Sequence, residues 1–130
     1  MCIEVSWYNE NKTVLIHDIS GKWTITDIRH AAVVAWDMMR SVSHQVDVII
    51  DVRNGNRLPS GFMVHGKHIA TTRPDNAGVI VIVGANTLMK SLYDVYSRSY
   101  GRATPDFRVY FTDDLPSAEN IINDNQSAGV

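Results

Sequence analysis

Two stretches of this chain constrain its fold more than any others. Val46–Val52 (VDVIIDV) and Ala77–Val83 (AGVIVIV) are strand-length runs with almost no polar interruption. A strand with one wet face alternates apolar and polar residues, because successive side chains point to opposite faces. A run that is apolar at both parities has to be covered on both faces, the environment of a central strand in a parallel sheet. Parallel neighbours need crossover connections, so helices are expected around these runs.

The rest of the chain supplies those partners. Residues 2–7 (CIEVSW) alternate apolar and polar, 13–19 (TVLIHDI) are β-branched and apolar, and Asn9, Glu10 and Asn11 between them suit an antiparallel hairpin. Gly21 breaks the pattern, and Thr24 with Asp27 makes a capping box in which Asp replaces Glu. The helix that follows runs from about residue 25 to about Val42, with Ile28, Ala31, Ala32, Ala35, Met38, Met39 and Val42 on one broad face. Trp36 lies at the edge of that face, where two readings stay open: the rim of the core or a partner surface. Ser60 reads as the N-cap of a second helix over Gly61–Thr72, and Gly84–Thr87 lead into a third over Leu88–Tyr100. Phe107–Phe111 is a short strand, Pro116–Ile122 a fourth helix and Gln126–Val130 a flexible tail. The order predicts one α/β domain over residues 1–125. Its sheet is mixed and five-stranded, with an N-terminal antiparallel hairpin, the remaining strands parallel, and four helices.

Composition narrows the function classes. Twelve Lys and Arg against fourteen Asp and Glu in 130 residues give a net charge of −2, which offers no basic field for nucleic acid. No apolar run reaches the length of a membrane helix, and MCIEVSWYNENK lacks a signal-peptide pattern, so a cytoplasmic protein is expected. A single cysteine, Cys2, leaves no internal disulfide and no cysteine cluster for a metal. The glycine motifs of dinucleotide and phosphate-loop proteins are absent, and no cofactor is predicted.

Sites in open α/β sheets lie beyond the carboxyl ends of the strands. Here that end carries Asp51, Arg53, Asn54 and Arg57, followed by Ser60 and Gly61 at a helix start suited to an anion. The plain alternative is that Asp51 and Arg53 pair with each other while Ser60 only caps. His65 and His68 share a helix face but lack a third ligand, and Asp113-Asp114 suits a capped turn better than a metal. Ser60 with His65 a turn later is the one nucleophile–base pairing on offer, without a nucleophile elbow around it. Tyr93 and Tyr100, with Met89 and Trp36, are interface candidates, and the wide apolar stripe of the first helix makes a homodimer reasonable.

The order of elements, with the block VDVIIDVRNGNRLPSGFM, resembles the STAS family of anti-sigma-factor antagonists (SpoIIAA-like). It looks closest to the divergent bacterial branch grouped with the lipid-binding CRAL-TRIO superfold. The resemblance spans about residues 3 to 122. It implies a non-catalytic signalling module whose partner proteins act on a serine in an Asp-Ser-Ser/Thr-Gly-Leu motif. Leu58 and Pro59 stand at the Asp and first Ser positions here, and Ser60 and Gly61 keep the last Ser and Gly. Proline accepts no phosphate, so Ser60 is the regulatory candidate. The lipid-binding relatives imply an alternative, a small apolar or anionic ligand lined by Gly61, Phe62, Met63, Gly66 and Met89. A hydrolase using Ser60 and His65 is the third reading.

Overall fold

The computed structural model describes residues 3–55, 74–91, 94 and 108–128. Its strands are β1 (Ile3–Trp7), β2 (Val14–Ser20), β3 (Val46–Asn54), β4 (Ala77–Val83) and β5 (Val109–Thr112). They form one five-stranded sheet in the order β1-β2-β3-β4-β5. β1 and β2 are antiparallel and every later pairing is parallel, as expected.

The two apolar runs are covered on both sides. On one face Leu15, Val48 and Ile80, aligned across three strands, pack with Ala32, Ala35, Trp36 and Met39 of helix α1 (Ile25–Arg40). On the other face Val14, Ile49, Val79, Val81 and Val83 meet Ala118 and Ile122 of the C-terminal helix (Leu115–Ala128). Each fully buried Val or Ile contributes about 1.5–3 kcal/mol relative to exposure, which is why this register holds.

The local signals explain the element ends. The Asn9 side chain accepts from Thr13 N at 3.0 Å and Val14 N at 3.2 Å, closing the β1–β2 connection, where Lys12 takes φ +56°. At the start of α1 the Thr24 hydroxyl accepts from Asp27 N at 3.2 Å, and Asp27 Oδ2 accepts from Thr24 N at 2.8 Å. Thr24→Ala removes one half of that box and is expected to cost about 1 kcal/mol, a fall of about 4 °C in Tm by calorimetry. The far end of α1 is held by Asn76, whose amide reaches Met39 O at 2.8 Å, His44 O at 2.9 Å and Val42 O at 3.3 Å.

Three helices, not four, lie among the described residues. The predicted Gly61–Thr72 helix falls outside them, while residues 87–91, with 94, form the start of the helix expected from Leu88, here α2. The C-terminal helix, α3, is longer than Pro116–Ile122 and takes in residues expected to be tail, ending at Ala128. Its polar second half contains neither Gly nor Pro before Gly129, so nothing stops its propagation. Asp114 starts it, accepting from Ser117 N at 2.8 Å, in agreement with the capped-turn reading. β5 runs Val109–Thr112 rather than Phe107–Phe111, and Phe107 lies outside the described residues.

Candidate functional site

The carboxyl ends of β2, β3, β4 and β5 bring Asp18, Asp51, Arg53, Asn54, Gly84, Thr112, Asp113 and Asp114 to one end of the sheet. Asp51 and Arg53 are two apart on β3 and therefore project from the same face. Asp51 Oδ1 accepts from Arg53 N at 3.1 Å and Nε at 3.0 Å, and Oδ2 accepts from Nη2 at 2.8 Å. The carboxylate side chain is 8% exposed and the guanidinium side chain 44%. The bonds from Arg53 hold the Asp51 carboxyl below its usual range, more than offsetting the opposing effect of burial. Arg53 is pushed up by Asp51 first, with Asp18 and Asp114 adding to the effect. Gly84 is part of the same arrangement. Its φ is +82°, and a Cβ there would stand 2.3 Å from Arg53 Cγ, so only glycine lets the Arg53 stem cross β4.

The neighbouring loops are tied down in the same way. Asn86 Oδ1 accepts from Met89 N at 2.9 Å and caps α2. Thr112 Oγ1 donates to Asp114 O at 3.1 Å, and bonds from Ser117 hold the Asp114 carboxyl below its usual range. Trp23 Nε1 donates to Gly55 O at 2.5 Å and Gly21 N to Asn54 O at 3.0 Å, fixing the chain where it leaves β3.

The other sequence-derived candidates divide three ways. Asp51, Arg53 and Asn54 stand at this end, and the plain alternative for the first two, a mutual pair, is what they form. Arg57, Ser60, Gly61, Phe62, Met63, His65, Gly66, His68, Tyr93 and Tyr100 lie outside the described residues. Trp36 and Met89 require correction as interface residues: they are 7% and 8% exposed and belong to the core. Ala31, Ala32 and Ala35 let α1 approach the sheet closely, which takes the Trp36 ring inside. Among the described residues no group of three His, Cys, Asp or Glu is placed to hold a metal ion.

Several features escaped sequence reasoning. His17 is 5% exposed between Val5 and Ile50 in the sheet, neither ring nitrogen has a hydrogen-bond partner, and burial pushes its pKa down to about 4. Tyr8 donates to Glu119, which raises the phenol to about 12. An open groove of 470 Å³, lined by Arg40, Val42, Pro74, Asp75 and Asn76, lies at the opposite, amino end of β3 and β4. In that groove Asn76 is committed to the end of α1.

No protein-family model, curated protein or solved structure matches this chain. No helix among the described residues is long and apolar enough to cross a membrane.

Proposed function

We propose that the chain is a non-catalytic, STAS-like regulatory module that docks a protein partner at the carboxyl end of its sheet. Ser60 is the residue at which that docking is switched. The observation that carries the reading is the state of the polar groups at this end. Among the described residues Asp51 is bonded to Arg53, Asp114 to Ser117 and Asn86 to Met89, so these groups organise the scaffold and leave the Arg53 guanidinium fixed and half exposed. A preorganised arginine loses little entropy on contact and is a common anchor of protein interfaces. Among the described residues Asp18 and Asp114 lie close enough to act on it and make this part of the rim acidic, which fits a partner carrying basic side chains. Ser60 follows Arg53 by seven residues in the sequence, and a phosphate on it would add about −2 charge to the chain.

The test is native mass spectrometry of the chain purified from its own cells, paired with the intact denatured mass and with partner capture by Ser60→Asp and Ser60→Ala. The expected result is a stoichiometric protein complex that Ser60→Ala retains at its basal affinity and Ser60→Asp, by adding negative charge toward a basic partner, tightens by about tenfold. A small added mass lost on denaturation would overturn the reading in favour of an apolar or anionic ligand. Ester hydrolysis abolished by Ser60→Ala would overturn it in favour of a hydrolase using Ser60 and His65.

A further inference from the structure

We infer that β1 is a self-association edge, at which two copies of the chain pair antiparallel about a two-fold axis at Val5 and join their sheets into one. β1 is the first strand of the sheet order and has a neighbour on one side only. Tyr8 N donates to Val14 O at 2.8 Å, and the register continues with Ser6 opposite Ile16 and Glu4 opposite Asp18. Alternate residues of an antiparallel strand turn their N–H and C=O to the same neighbour. Tyr8, Ser6 and Glu4 therefore bond to β2, while Ile3, Val5 and Trp7 present theirs along the outer edge. Among the described residues no backbone group meets them.

Exposed edges ordinarily carry a lysine, a proline or a bulge that blocks further pairing. The β1 sequence IEVSW has neither Lys nor Pro, its one charge is the exposed Glu4 on the face away from α1, and its register with β2 is unbroken. The pattern about Val5 also selects the occupant. An antiparallel copy centred there sets Ile3 opposite Trp7 of the second copy, Val5 opposite its own equivalent and Glu4 opposite Ser6. Apolar side chains then meet on the α1 side, where Val5 and Trp7 are only half buried, and each carboxylate meets a small hydroxyl on the other. All three outward residues enter bonded pairs. Moving the axis to Glu4 or to Ser6 would lose one of those pairs, and at Glu4 it would also set the two glutamates opposite each other, so the number of bonded pairs together with charge fixes the register.

This inference is independent of the regulatory reading, since the edge is not the carboxyl end of the sheet. It is tested on the full chain by sedimentation equilibrium over a concentration series, with hydrogen exchange on the same samples. The mass should rise from 14.6 kDa to twice that. The Val5 amide should gain protection with the dimer, while the Ser6 amide, already bonded to β2, is protected throughout. Ser6 is exposed, so its variants should keep the wild-type circular dichroism. Ser6→Glu, which faces Glu4 of the second copy, should weaken association roughly tenfold, and Ser6→Lys should tighten it at low salt and lose that gain at high salt. Val5→Pro, which deletes the outward N–H at the axis, should give a monomer. A chain that stays at 14.6 kDa throughout, or a dimer indifferent to Ser6→Glu and Ser6→Lys, overturns the inference. A monomer that still binds its partner would leave the regulatory reading standing.

Discussion

Between pH 6.5 and about 4 the protein should lose about 3 kcal/mol of stability that the His17→Leu variant keeps. The histidine lies in the sheet beneath α1, 5% exposed, with both nitrogens unpartnered. Burial disfavours the imidazolium, and the folded pKa falls from 6.5 to about 4. The unfolded chain then binds this proton more readily than the folded one. Stability from this site is therefore complete above the unfolded value of 6.5, falls as pH drops, and levels off below about 4. The window is favourable because the depressed carboxyls, Asp51 and Asp114, contribute mainly below it. Urea denaturation at pH 7.5, 5.5 and 4.5 measures the difference directly. At pH 7.5 His17→Leu should already be the more stable chain by about 1 kcal/mol, since it removes two unsatisfied buried nitrogens. Parallel losses in the two proteins across this range would show that His17 finds solvent or a partner on folding, and the account would fail.

How much of this was legible beforehand depends on whether a feature is local. The strands were legible because VDVIIDV and AGVIVIV are apolar at both parities, and the α1 start because Thr24 and Asp27 have the spacing that capping requires. Asp51 and Arg53 were legible as residue types. Whether they pair or face a ligand depends on the Gly84 backbone at φ +82°, which admits the Arg53 stem. Trp36 was ambiguous for a similar reason: the helical pattern places it at a stripe edge, and the closeness of α1 to the sheet decides its burial. The Asn76 cap on α1 bridges 37 positions to Met39, and nothing local marks an asparagine in a turn as the cap of a distant helix. His17 sits in an apolar strand where a sequence shows the residue but not the missing partner. The C-terminal helix shows the reverse case, a polar segment without a breaker that extends because the preceding turns, packed through Ala118 and Ile122, have already nucleated it.

Gly78→Ala is expected to be the most damaging glycine-to-alanine change among the described residues, at about 3–5 kcal/mol, a large part of the stability of a domain this size. A Cβ at Gly78 would lie 1.9 Å from Asp47 Oδ1, 2.6 Å from Gln45 Nε2 and 3.0 Å from Asp47 Cγ. The carboxylate has nowhere to retreat, because Asp47 is 0% exposed. Its Oδ1 accepts from Val79 N at 2.8 Å and from Gln45 Nε2 at 3.1 Å, where the β3–β4 register shifts between Val46 and Val48. The aspartate thus replaces a ladder carbonyl that the irregular register fails to provide, and the glycine makes room for it. Displacing the side chain would strand a buried carboxyl oxygen and the buried Val79 N–H together, each costly to leave unsatisfied. The two residues should therefore behave as one unit. Asp47→Ala alone leaves Val79 N unsatisfied, but adding Gly78→Ala then meets no oxygen, so the double variant should be less destabilised than the sum of the singles by about 1–3 kcal/mol. Urea unfolding of the four proteins supplies that cycle, and strict additivity would refute the coupling. The same pairing explains an aspartate inside an otherwise apolar run: it completes the β3–β4 ladder at the amino end, opposite the candidate site.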